Sequence, residues 1–230
     1  MGRTPENKGM CSARNTPYMI DFDTAFMITA LVTMLVVIDP IGIAPLFLAL
    51  TQGMTPARRR RIAIRATLTA AFVLALFAFF GEALLGFIGI SMPAFRIAGG
   101  ILLFLPALDM LFERRTKRRE DRAEGADDQN DPSVFPLAIP LIAGPGAIAS
   151  VILLIGQKPG PEGLVTVLGI TALTLILMLL ILFISSTLDR IIGKTGIDVI
   201  TRVLGMLLAA LSVQFVLDGL SAYGFGPGTG

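Results

Sequence analysis

Two blocks of proline and glycine concentrate the residues in this chain that could do chemistry. The first reads Asp39-Pro40-Ile41-Gly42-Ile43-Ala44-Pro45, and the second Ile139-Pro140-Leu141-Ile142-Ala143-Gly144-Pro145-Gly146. Each places two prolines five residues apart inside an apolar run. A proline within a helix removes an N–H donor and presses on the carbonyl four residues back, so both segments are expected to break there. Open backbone is tolerated at membrane depth only where protein buries it or a water-filled cavity receives it. The half-helix N-termini created by such breaks offer N–H groups and positive dipole ends to a carboxylate, while freed carbonyls suit a cation or an ammonium group. An amino acid zwitterion carries both charges, and the candidate binding positions are Asp39, Pro40, Gly42, Gly144, Pro145 and Gly146.

Asp39 adds an ionisable group. It lies about 15 residues into its apolar run, roughly 22 Å along a helix, where a carboxylate is expensive and by default functional. Asp followed by Pro also fits a helix N-cap with proline at the first helical position. Capping and ion coupling by Asp39 are compatible, because a cap at the break would face the same cavity.

Other chemistries are excluded by composition. There is no histidine and one cysteine, Cys11, which removes the usual zinc sites, hydrolytic triads built on histidine and any intrachain disulfide. No G-x-x-x-x-G-K-[ST] loop is present, so this chain does not power transport with ATP by itself. An enzyme is not expected, nor a cofactor or metal.

The elements that must position the two blocks are membrane spans. Of 230 residues, 54% are hydrophobic and 16% charged, with a mean hydropathy of +0.77, and Leu164 to Leu188 is uncharged throughout. About 20 apolar residues suffice to cross a bilayer as a helix. Six segments qualify: Phe22 to Leu50, Ile62 to Ile90, Ala94 to Phe112, Val134 to Ile155, Leu164 to Leu188 and Val199 to Tyr223. The expected fold is therefore an all-α polytopic membrane protein. Residues 1–20 are expected to form a disordered tail, 21–112 a first three-span unit, 113–133 a charged cytoplasmic linker and 134–223 a second three-span unit.

The two units look alike. Both prolines of one block match those of the other at an offset of 100, and Arg96-Ile97-Ala98-Gly99 matches Arg202-Val203-Leu204-Gly205 at 106. A repeat of three spans enters the membrane from opposite sides in its two copies, so the expectation is two inverted three-helix repeats with broken first and fourth helices. The loops after segments one, three and five, with their flanks, hold 14 of the 19 basic residues. The positive-inside rule then puts both termini in the periplasm. The run Arg58-Arg59-Arg60-Arg61 is read as fixing topology, with a nucleic-acid or anionic-lipid patch as the alternative. Arg96 and Arg202 are candidates for a substrate carboxylate or for snorkelling, and Glu82 and Gln214 for polar contacts between helices.

Four blocks in order carry a resemblance to a known family: Val37-Ile38-Asp39-Pro40-Ile41-Gly42, Phe95-Arg96-Ile97-Ala98-Gly99-Gly100-Ile101-Leu102-Leu103-Phe104, Pro140-Leu141-Ile142-Ala143-Gly144-Pro145-Gly146-Ala147-Ile148 and Leu208-Ala209-Ala210-Leu211-Ser212-Val213-Gln214-Phe215. Over residues 22–220 the chain resembles the MarC family. The resemblance implies a six-span bacterial inner-membrane protein that moves small neutral amino acids such as glycine, alanine, serine or threonine by uptake or export, coupled to a proton or sodium gradient. It departs from the family in its longer polar N-terminal stretch and in Pro106. The rival readings are a passive channel and a lipid-handling membrane protein. Oligomeric state is not legible in the sequence.

Overall fold

The computed structural model describes residues 24–112 and 132–225. The tail, Cys11 and nearly all of the charged linker lie outside them. The elements in order are α1 (Thr24–Ile38), α2 (Pro40–Leu50), α3 (Pro56–Ile88), α4 (Met92–Leu111), α5 (Ser133–Ile142), α6 (Pro145–Gln157), α7 (Pro161–Phe183) and α8 (Ser185–Ala222). Five stretches are long and apolar enough to cross a membrane: Thr24–Leu50, Pro56–Ile88, Met92–Leu111, Pro161–Phe183 and Thr195–Ala222. A sixth is available if α5 and α6, which meet at 50°, form one bent span.

Proline in the first turn starts α2, α3, α4, α6 and α7, and at α2, α3 and α4 a side chain caps the end. Thr55 accepts a hydrogen bond from Arg58 N ahead of Pro56, and Ser91 accepts one from Ala94 N beside Pro93. Proline at the first helical turn gives up an N–H that would have had no partner there. Helix α3 stops at Gly89, whose φ of 84° allows Ile90 N to reach back to Leu85 O. Gly193, with φ of 63°, interrupts α8 ahead of its spanning part.

The outer helices are small inside and large outside. On α3 the buried positions include Ala63, Ala66, Ala70, Ala78 and Gly81, at helical spacing, whereas Leu68, Phe72, Phe79, Phe80 and Phe87 are exposed. This is the pattern expected when hydrocarbon surrounds the helices, because burial of apolar groups then gains nothing and close backbone approach decides packing. The centre is occupied by α1, α2 and α6. From Ala149 to Ile155 every residue of α6 is buried.

Helices α4 and α8 form the most extensive pair, and they run antiparallel. The Ser91 and Tyr223 hydroxyls lie 2.7 Å apart at one end. Further along, a Cβ at Gly219 would sit 2.9 Å from Pro93 O, one at Gly100 2.6 Å from Ser212 O, and one at Gly205 2.7 Å from Met110 Cβ. Each of these glycines is therefore a contact point at which two backbones approach.

Substituting these positions should separate the helices. Gly100→Val and Gly205→Val are expected to lower stability by about 1–3 kcal/mol each through overpacking. Gly169→Ala on α7, where no atom lies within 4 Å of the new Cβ, should be neutral or gain up to about 1 kcal/mol from helix propensity. Thermal unfolding in detergent checks both signs.

Candidate functional site

The first block forms a one-residue dislocation. Helix α1 ends at Ile38, Asp39 takes left-handed φ and ψ of 52° and 69°, and α2 begins at Pro40. Bonds from Asp39 N to Leu35 O and from Ile43 N to Asp39 O carry the helical ladder across it. Asp and Asn are the non-glycine residues that enter the left-handed region most readily. The Asp39 carboxylate accepts from Gly42 N at 3.0 Å, capping α2, and the residue is fully buried. The capping role considered for Asp39 is thus present in the geometry. Pro40 is buried at the first position of α2, Gly42 is half-buried and supplies the capped N–H, and Pro45 lies inside the helix.

The second block bends much further. Within α5, Phe135 and Ile139 have extended backbone, each precedes a cis-proline, and Leu137 N and Ala143 N reach back five residues to Pro132 O and Ala138 O. The regular helix α6 starts five residues after the second cis-proline, with Gly144 at the N-cap and Pro145 at the first helical position. Gly144 is extended, with φ of −78° and ψ of 170°, and no side chain caps α6. A Cβ at Gly144 would lie 2.5 Å from Pro140 O. Every residue other than glycine is therefore opposed there by backbone rather than by a side chain that could turn away.

The two blocks adjoin through Gly146. A Cβ built on it would meet Val37 Cγ1 at 3.4 Å and Leu103 Cδ2 at 3.5 Å, so the first turn of α6 faces α1 just before its break, and α4. Pro145 is exposed, Gly146 is half-buried and Ala147 is buried. Asp39 and the residues flanking the break, Ile38, Pro40 and Ile43, are all buried.

Other candidates are placed differently from expectation. Arg96 donates from Nη2 to Gly156 O at 2.7 Å, tying α4 to the C-terminal turn of α6, where a cation also meets the negative end of the helix dipole. That contact joins residues 60 positions apart and has no local sequence signal. Glu82 faces outward on α3, and Gln214 donates to Asp218 on its own helix at 2.7 Å. A cavity of about 210 Å³ opens between α4 and α8, bordered by Gly100, Phe104, Ser212 and Val216. Its lining is uncharged and contains no residue of either block. Among the described residues no cluster of metal-ligating side chains occurs.

Sequence reasoning passed over Ser150. It sits four residues after Gly146, is fully buried, and its Oγ has no hydrogen-bond partner. The available signal was a lone hydroxyl, one turn past a glycine, in an apolar run.

The family model described as "MarC family integral membrane protein" matches residues 24–223. A UPF0056 membrane protein of Aquifex aeolicus is 37% identical over 205 residues, covering 88% of this chain and 95% of the relative. One from Archaeoglobus fulgidus is 36% identical over 198 residues, 86% and 93% of the two chains. The inner membrane protein YhgN of Escherichia coli K12 is 33% identical over 196 residues, 84% and 95%. No solved structure matches the chain.

The Asp39 geometry yields an order of stabilities. Asp39→Asn should stay within about 1 kcal/mol of the parent, since Asn caps as well and enters the left-handed region. Asp39→Gly should lose a few tenths of a kcal/mol as a poorer cap. Asp39→Ala should lose about 2 kcal/mol or more, combining the missing cap with a conformation that alanine resists. Thermal unfolding of the four proteins tests the ranking.

Proposed function

Because this chain belongs to the MarC family of integral membrane proteins, we propose that it is a secondary transporter of small neutral amino acids, taking them up or exporting them against a proton or sodium gradient. The observation that carries the reading is the meeting of two backbone interruptions inside the helical bundle. The Asp39 dislocation and the 50° bend between α5 and α6 are brought together where Gly146 packs beside Val37. Irregular backbone at membrane depth is a feature of transporter binding sites built from discontinuous helices.

The packing supports six crossings arranged as two inverted repeats. If α5 and α6 did not cross together, α8 would run parallel to α4; their antiparallel contacts favour a crossing. Exchanging the two units maps α3 on α5 and α6 to α7 on α1 and α2, and maps α4 on α6 to α8 on α2, all of which are packed pairs. Helices α4 and α8, which exchange with each other, face one another. With an even number of crossings, the excess of Lys and Arg in the odd loops puts both termini in the periplasm. A lipid handler would require a laterally open groove with basic residues for the headgroup, and the α4/α8 cavity is uncharged.

Reconstitution into liposomes tests the reading. Labelled glycine, alanine, serine or threonine should accumulate only under an imposed proton or sodium gradient, and flux that ignores both gradients would identify a passive channel. In the same assay Asp39→Asn separates capping from coupling: a coupling carboxylate predicts exchange without accumulation, a pure cap near-normal accumulation. Reporter fusions at Gly230 should be active only outside the cytoplasm, and cytoplasmic fluorescence would overturn the orientation.

A further inference from the structure

Helix α3 is longer than the bilayer it crosses. Its 33 residues extend about 50 Å, against a hydrocarbon core of about 30 Å. The exposed apolar side chains of its outer face begin at Leu68 and continue through Phe72 and Phe79 to Ile88, a stretch of about 30 Å at 1.5 Å per residue. One hydrocarbon edge therefore lies near Leu68, and the first three turns of α3 stand beyond it. Those turns hold Arg58, Arg59, Arg60, Arg61 and Arg65, while between Asp39 and Glu82 the chain has no acidic residue to neutralise them. A second helix gives the same level. Phe183 closes α7, whose exposed apolar side chains run from Val165 to Ile184, and the guanidinium carbon of Arg60 lies 5.5 Å from the centre of its ring.

The arginines divide by direction. Successive residues turn by about 100° around a helix, so four in a row cannot share one face. Arg59 is half-buried and donates from Nη2 to Thr51 O at 3.4 Å, and Arg60 turns sideways over Phe183. Arg58, Arg61 and Arg65 are exposed. Together with Leu68, Phe72 and Phe79 they fall within an arc of about 80°, and the buried Ala63, Ala66 and Ala70 occupy the opposite side of the helix. The outer face of α3 is thus one continuous stripe, cationic beyond the hydrocarbon edge and apolar within it. Along the axis Arg65 stands about 4.5 Å and Arg61 about 10 Å from Leu68. The headgroup layer adds roughly 5–8 Å on each side of the core, so Arg65 falls within it and Arg61 at its outer margin.

We propose that Arg58, Arg61 and Arg65 form a binding site for the phosphate of an anionic phospholipid in the adjoining leaflet, its acyl chains lying along Leu68, Phe72 and Phe79. Guanidinium groups match phosphate oxygens two donors at a time, and basic residues beside an anionic membrane surface each add to the attraction. The apolar continuation of the stripe selects lipid over nucleic acid, which has nothing to set against exposed phenylalanines in hydrocarbon. A count of Lys and Arg is all that topology requires, whereas this site requires three cations on one helix face at one depth. It is a seat for a resident lipid on a single helix, not a groove that could carry one across, and it does not depend on what the protein transports.

The test uses the full chain in a neutral detergent, with dioleoyl phosphatidylglycerol, dioleoyl phosphatidylcholine, inorganic phosphate and a single-stranded oligonucleotide as probes. Native mass spectrometry reads bound lipid, and thermal unfolding reads stability. Phosphatidylglycerol should bind at least about tenfold more tightly than phosphatidylcholine, and inorganic phosphate at the same concentration should leave unfolding unchanged. One basic residue at an anionic lipid surface corresponds to about a fivefold change in affinity, so Arg61→Gln should weaken phosphatidylglycerol about fivefold and Arg58→Gln/Arg61→Gln about 25-fold, with phosphatidylcholine unaffected. Arg118→Gln/Arg119→Gln in the linker removes the same charge and should leave phosphatidylglycerol affinity unchanged. Equal affinity for the two lipids would overturn the site, and so would an equal loss from the linker pair, which would show diffuse attraction to net charge. Stabilisation by inorganic phosphate that matches phosphatidylglycerol, or displacement of the lipid by the oligonucleotide, would overturn lipid as the occupant. Should the double variant fail to fold, Arg61→Gln alone decides, and unchanged phosphatidylglycerol affinity in it overturns the site.

Discussion

Backbone N–H groups inside a bilayer have no water to bond, and the architecture around the two proline blocks follows from how this chain answers that demand. Each proline that begins a helix removes one orphan donor, and the donors behind it still require acceptors. At Pro40 the acceptor is the carboxylate of the preceding residue, which must enter the left-handed region to present it. At Pro145 no side chain among the described residues caps the helix, and α5 places Pro140 O where a Cβ at the N-cap would have to sit. Burial of α6 on nearly every side makes that omission a feature of the interior rather than of a frayed end.

The rest of the bundle holds the two blocks against one another. Helices α3 and α4 contribute small residues at their contacts and large apolar ones to the outside, so that backbones approach and bulky side chains meet lipid. The glycines of α4 and α8 do this at close range, which makes that pair a rigid strut along one flank. From it Leu103 of α4 reaches the first turn of α6 and Arg96 its last.

Much of this is legible in the sequence because hydrophobic runs and helix-starting prolines are local signals. All six apolar segments correspond to helical stretches, with ends displaced by a few residues where Thr55-Pro56, Ser91 and Gly160-Pro161 set the true starts. The two blocks agree in proline spacing and differ in how the helices use it. Aligned proline on proline they match, yet α2 starts at the first proline of its pair and α6 at the second of its own. The residue before each proline makes the choice: Asp39 and Gly144 suit an N-cap, whereas Ala44 and Ile139 do not. The roles of Arg96 and Gly146 were hidden for another reason, since their partners Gly156 and Val37 are distant in sequence and the contacts exist only once the helices pack. Ser150 was hidden because a single hydroxyl in an apolar run looks like any other until its expected back-bond is found unmade.

The two ends of α6 make the functional asymmetry concrete. At the C-terminal end a guanidinium from α4 supplies the positive charge that the exposed carbonyls attract, and Gly156 O takes a 2.7 Å bond from Arg96. At the N-terminal end the matching negative charge is absent from the helix's own side chains, and glycine is the residue that keeps it absent. Had both ends been neutralised by protein, α6 would be an ordinary buried helix about 20 Å long. With one end satisfied and the other held open beside the Asp39 dislocation, the dipole retains an unbalanced positive end at the junction of the two halves. That end of α6 packs beside Val37 of α1 and Leu103 of α4, so the unbalanced end of the dipole lies where three helices meet.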